Sequence, residues 1–136
     1  MIRNDKMSSK TYTGINIQYP ISQLIVKKHK VIETRTYPIP DHYINQEMAL
    51  VETPGKTGNF KARIIAIITF GASHKYKSEK EFYADKDRHC VTPESPWAWS
   101  NTKGKWGWPI VKLKCLKKPV PLRKRIGIKY TKNIEI

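Results

Sequence analysis

The segment Lys61 to Ala72 contains Ile64-Ile65-Ala66-Ile67-Ile68, apolar residues following one another without a polar break. A strand with one wet face alternates apolar and polar residues. A run like this one means burial on both faces, as in a closed or heavily covered sheet. It is too short to cross a membrane. The rest of the chain must therefore wrap around this strand. With 136 residues, 39% of them hydrophobic, the chain can bury one core and has little length left for a second.

Other elements read as partners for that strand. Gly14 to Tyr19 alternates like a half-buried strand. Pro20 suits the first position of a short helix, with Ile21, Leu24 and Ile25 on one face and Lys27, Lys28 and His29 at its end. Val31 to Tyr37 and Met48 to Glu52 read as strands. Ser78 with Glu81 forms a capping box opening a polar surface helix over 78–88. Residues 90–104, with two prolines and two tryptophans, read as a long functional loop. In Lys105 to Lys118, alternation puts Val111, Leu113 and Cys115 on a core face. Trp106, Trp108, Ile110, Lys112 and Lys114 fall on the other. A short strand near Ile126-Gly127-Ile128 is expected to follow. The class expected is α+β: a small mixed β-barrel of five or six strands with two to three short helices, over 13–136 after a flexible segment 1–12.

Charge narrows the partners. The chain carries +15, and residues 101–136 hold eleven Lys or Arg against one acid. A concentrated positive field attracts phosphate backbones. No basic amphipathic helix suggests a membrane surface. Cys90 and Cys115 make no metal spacing and suit a reducing compartment, and His29, His42, His74 and His89 are scattered. No apolar stretch follows Met1 to Lys6, so no secretion signal is expected, and a cytoplasmic location is. Gly55-Lys56-Thr57 is no P-loop, because Leu50 stands where the motif needs glycine.

Lys30, Glu33 and Arg35 are the candidate catalytic constellation. Glu33 and Arg35, two apart on a strand, share a face, and Lys30 ends the preceding helix within reach. Two cations around a carboxylate bind phosphate or tune a lysine for proton transfer. On spacing alone, a Glu33–Arg35 ion pair beside a solvent-exposed Lys30 is the commoner outcome.

These residues carry a resemblance. Lys28-His29-Lys30-Val31-Ile32-Glu33-Thr34-Arg35 is similar to the Gly-x-Lys-x-x-Glu-x-Arg signature of the ASCH domain, a PUA-like family, with Lys28 in place of the leading glycine. Gly14, Ile15, Ile17 and Pro20 resemble the family's first strand and turn. Trp106-Gly107-Trp108 and Pro119-x-Pro121 resemble its C-terminal strand. The resemblance implies a barrel whose cleft is floored by Lys30, Glu33 and Arg35. It also implies work on RNA, either binding or cleavage of single strands helped by manganese or magnesium. Amidohydrolase members acting on acetylcytidine carry Thr where this chain has Glu33 and need a later glutamate, for which Glu94 is the candidate. A non-catalytic module for RNA or a modified base is the third reading.

Unpaired bases stack on aromatic rings, so Trp97, Trp99, Trp106 and Trp108 are candidate RNA contacts, divided between cleft wall and core. Lys27, Lys28, Lys112 and Lys114 are candidate phosphate contacts. The expected partner is single-stranded RNA or a nucleotide-like ligand, bound by a monomer.

Overall fold

The computed structural model describes residues 11–122 and 129–136, except the side chain of Asn133. The strand expected near 126–128 and the segment 1–10 lie outside the described residues. Seven strands form one mixed sheet. They are β1 (Thr11–Gln18), β2 (Ile32–Arg35), β3 (Glu47–Thr53), β4 (Arg63–Phe70), β5 (His74–Lys75), β6 (Trp106–Pro121) and β7 (Tyr130–Glu135). Three short helices join them: α1 (Ile21–Val26), α2 (Glu79–Ala84) and α3 (Lys86–His89). A 3₁₀ turn spans Asp41–Tyr43. β1 begins at Thr11, three residues before the expected start, and Pro20 precedes α1 as its cap.

The strand order is β2-β6-β4-β3-β1-β7, with β5 beside β6. β1 and β3 run parallel, and the other pairs are antiparallel. The sheet curls into an open half-barrel, the small α+β barrel expected from the strand pattern. β4 sits centrally, and its residues from Ile64 to Phe70 are all buried. Ile65, Ala66, Ile68 and Phe70 pack with Ile15, Leu50 and Trp108. Ile64 packs with Ala49, Val51 and Ile134 in a second cluster. The unbroken apolar run is thus used on two sides. A Cβ on Gly14 would overlap Ile134 and come within 2.7 Å of Val51, so only glycine lets these side chains close over β1.

Simple alternation fails on β6. Phe70 pairs with Ile110, Thr69 with Lys112 and Ile68 with Leu113. Val111 is the extra residue of a bulge, which shifts the side-chain phase by one. Trp106, Trp108 and Ile110 therefore join Leu113 on the core side, whereas Val111 is 57% exposed and Cys115 is also exposed. The expected core face of Val111, Leu113 and Cys115 is corrected to Leu113 alone of those three.

The 78–88 helix also differs from expectation. Ser78 Oγ accepts the Glu81 N–H at 3.1 Å, as a cap should, while Glu81 reaches the Lys77 N–H rather than that of Ser78. The helix breaks at Asp85, whose carboxylate holds the Tyr76 hydroxyl and the Arg88 guanidinium. It is not wholly superficial: Phe82 and His89 are fully buried, with Tyr76 and Val91 around Phe82.

Candidate functional site

β2 and β7 end the strand order. Where the curled sheet brings β2 back towards β1, no ladder joins the two, and a cavity of about 330 Å³ opens along this seam. Its walls come from β1 (Asn16, Ile17, Gln18), from β2 (Glu33, Thr34, Arg35) and from the loop after α3 (Cys90, Val91, Ser95, Trp97). Ile21, Lys30, Thr53 and Lys129 complete them. Arg35 spans the seam, donating to the Asn16 carbonyl at 3.3 Å.

The three polar residues singled out by the sequence meet here. Glu33 accepts from Arg35 Nε at 3.0 Å, and its other oxygen lies 3.8 Å from Lys30 Nζ. Lys30 also donates to the His89 carbonyl at 2.5 Å. Arg35 donates to the Tyr37 hydroxyl at 3.3 Å and lies over the Trp108 ring, 5.6 Å from its centroid. Lys30 is only 3% exposed, so the arrangement of a surface ion pair beside a solvated lysine does not hold. Burial drives the Lys30 pKa below the usual lysine range, against the opposing pull of Glu33. Burial acts the same way on Arg35, but Glu33 and Tyr37 outweigh it and the net shift is upward.

His89 anchors this corner. Its Nδ1 accepts the Val91 N–H at 2.9 Å, which leaves Nε2 to donate to the Phe82 carbonyl at 2.6 Å. That pattern requires the neutral ring with its proton on Nε2. Burial lowers the His89 pKa, in keeping with the neutral form. Sequence reading set His89 aside as a scattered histidine, because no spacing rule links it to Lys30. Lys105 was also missed. It is buried within electrostatic reach of Glu33, and burial lowers its pKa.

A second buried carboxylate lies on β3, next in sequence to the cavity-lining Thr53. Glu52 on β3 is fully buried and accepts from Ser22 Oγ and Gln23 Nε2 on α1, both at 2.6 Å, and from Arg63 Nε at 2.8 Å. These bonds fasten α1 to the sheet. Burial pushes the Glu52 carboxyl up, but the three donors and the Arg63 charge outweigh it and the net shift is downward.

The tryptophans divide. Trp97, 42% exposed, lines the cavity. Trp108 is fully buried, donates to the Tyr37 carbonyl at 3.1 Å and packs edge-on against Phe70. It has no accessible face for a base, so its expected RNA contact is corrected to a core role. Trp106 is half-buried against the core, and Trp99 packs on Phe82 with its ring N–H on Asn101. Lys27, Lys28, Lys112 and Lys114 are exposed, but none lines the cavity. Lys28 and Lys112 border a smaller groove, about 200 Å³, beside Val31 and Val111. Glu94 is exposed and is not among the residues lining the cavity.

A divalent ion does not fit the donor set. Manganese and magnesium take several hard oxygen ligands. Among the described residues, Glu33 is the only carboxylate lining the cavity, and it already faces two cations. Among the described residues, no three His, Cys, Asp or Glu side chains come together.

A curled, incompletely closed mixed sheet with short helices and a polar cleft at its seam defines a PUA-like α+β barrel. Within that class, the chain has the ASCH-domain fold. It superposes on the crystal structure of ASCH from Zymomonas mobilis with a TM-score of 0.60, covering 81% of this chain and 73% of that one at 14% sequence identity. No protein-family model matches the sequence, and no curated protein matches it. Among the described residues, no helix is long and apolar enough to cross a membrane.

Proposed function

We propose that this protein binds single-stranded RNA by taking one unstacked nucleotide into the seam cavity. The observation that carries this is the cavity itself, which gathers Lys30, Glu33, Arg35, Trp97 and Lys129 from separate parts of the chain. Its volume of about 330 Å³ lies at the small end of ligand sites, suited to a nucleotide rather than a folded polymer. Trp97 offers an accessible ring for stacking, and the exposed lysines of β6 favour phosphates running away from the cavity. Binding is expected to weaken steeply as salt rises. Affinity unchanged between low and high salt would sink this reading.

A second reading adds cleavage of the bound strand, favoured by the buried Lys30 whose proton is loosened by burial at the cavity wall. The 2′ oxygen attacks phosphorus, and the bond from phosphorus to the 5′ oxygen breaks. Glu33 takes the 2′ proton and Lys30 gives one to the departing 5′ oxygen. Arg35 offsets the charge gathered on the phosphorus oxygens. End-labelled single-stranded RNA, incubated with and without manganese, tests it. Wild type is expected to shorten the RNA and folded Lys30→Ala to leave it whole. Equal survival of the RNA with both proteins removes the cleavage reading and leaves binding to the salt titration.

A further inference from the structure

β2 presents an unpaired backbone edge to the cavity, and its register identifies the groups. In the β2–β6 ladder, Ile32 faces Pro109, Glu33 faces Trp108, Thr34 faces Gly107 and Arg35 faces Trp106. The Ile110 N–H donates to the Val31 carbonyl at 3.0 Å, so one step earlier in the same register the Val31 carbonyl points towards β6, while the Val31 N–H donates to the Arg88 carbonyl at 2.8 Å. Antiparallel ladders alternate bonded and non-bonded pairs. Glu33 and Arg35 therefore turn their backbone groups towards β6, whereas Ile32 and Thr34 turn theirs away from it. β6 gives an independent check. The Pro109 carbonyl accepts from the Gly71 N–H at 2.9 Å, on the side away from β2, as a non-bonded position requires. Proline is tolerated there because β2 asks no N–H of it.

Thr34 lines the cavity. Among the described residues, no hydrogen bond is made by its backbone N–H or carbonyl outside the ladder. These groups sit beside Glu33 and Arg35 and across the seam from Gln18 and Thr53. A strand edge offers a donor and an acceptor in one plane, and exposed edges readily recruit a partner. A nucleobase carries the complementary set on its pairing edge, which is free only in a single strand.

We infer that the backbone N–H and carbonyl of Thr34 read the pairing edge of the one unstacked base held in the cavity. The inference rests on the RNA-binding reading above and deepens it: the ligand is a nucleotide whose pairing edge is unmodified and unpaired. Specificity at this position is then main-chain recognition, independent of the Thr34 side chain. An extended peptide added to the same edge is the competing occupant, and the test below separates the two.

The test uses the full chain and short 2′-O-methylated oligonucleotides, which cannot be cleaved through the 2′ oxygen and so report binding alone. One series carries uridine, 3-methyluridine or 5-methyluridine at a single position. A second carries adenosine or N6,N6-dimethyladenosine. All are neutral, so charge does not confound the comparison. Methyl groups on the pairing edge are expected to weaken binding about tenfold in the series whose base is preferred, the scale of an unmade buried hydrogen bond. 5-Methyluridine, altered away from that edge, is expected to bind within about twofold of uridine, a difference well under one such bond. Thr34→Pro removes the N–H and keeps the carbonyl, so it is expected to weaken the unmodified oligonucleotides about tenfold, one unmade hydrogen bond. Thr34→Ala keeps both main-chain groups and is expected to bind within about twofold of wild type. A folded Thr34→Pro that binds as wild type does overturns the inference. If Thr34→Pro does not fold, the ligand series decides alone. Equal wild-type affinity for edge-methylated and unmodified oligonucleotides in both series overturns the inference while RNA binding stands. No binding to any oligonucleotide overturns the RNA reading itself, as does binding of an extended peptide in its place.

Discussion

Replacing Glu33 by glutamine keeps the shape of the side chain and removes its charge. Lys30, 3% exposed, and Arg35, 14% exposed at its side chain, are then left as buried cations without their carboxylate. Stripping one partner from a buried pair costs about 3–5 kcal/mol. The lower end applies, because Lys30 keeps the His89 carbonyl and Arg35 keeps the Asn16 carbonyl and the Tyr37 hydroxyl. A loss of about 3 kcal/mol in a domain of this size lowers the melting temperature by roughly 10 °C. Circular dichroism melts of wild type, Glu33→Gln, Lys30→Met and the double variant form a cycle. The double variant is expected to be more stable than the two single costs added together, with about 1–3 kcal/mol of coupling. The deficit of Glu33→Gln is also expected to shrink on the alkaline side. Folding lowers the Lys30 pKa, so raising pH towards the unfolded value of 10.5 neutralises Lys30 in the native state first and removes the stranded charge. A shift under about 2 °C for Glu33→Gln, well below the cost of stranding a buried charge, refutes the reasoning. So does strict additivity in the cycle.

Two tryptophans should respond in opposite ways. Trp108→Ala empties a fully buried site and is expected to cost about 3–5 kcal/mol by urea unfolding. Trp97→Ala is expected to change stability by no more than about 0.5 kcal/mol and to weaken RNA binding by about 1–3 kcal/mol by titration. Glu52 should govern part of the acid transition. Its carboxyl lies below the unfolded value of 4.5, so it contributes stability above that pH and loses it as pH falls through the lower folded value. Glu52→Gln is expected to be less stable at neutral pH and to lose less on acidification. Parallel stability curves for the two proteins across that range would count against this account.

Much of the fold was legible in local patterns. The apolar run of β4 announced a strand covered on both faces, and it is. The alternation of Glu33 and Arg35 placed both on one face of β2, and they meet there. β6 was misread from its first residues, where Trp106, Trp108 and Ile110 face the core. Its bulge at Val111 is set by pairing with β4: Pro109 signals a bulge or an edge, but alternation within the strand does not place the lost phase. Trp108 went to the core for the same reason: its burial depends on Phe70 and Tyr37, distant in sequence.

The candidate site divides along the same line. Sequence alone put Glu33 and Arg35 on one face of β2 with Lys30 just before them, because backbone periodicity is a local property that spacing reports. It could not tell a solvated ion pair from a buried one, since burial depends on what lies above. Tertiary structure decided that by bringing the His89 carbonyl over Lys30 and the Asn16 carbonyl to Arg35, across separations of 59 and 19 residues. It also decided that the sheet stays open between β2 and β1, leaving Thr34 with an unpaired edge in the cavity. An edge is defined by which strand is absent from beside it, and no local pattern records that.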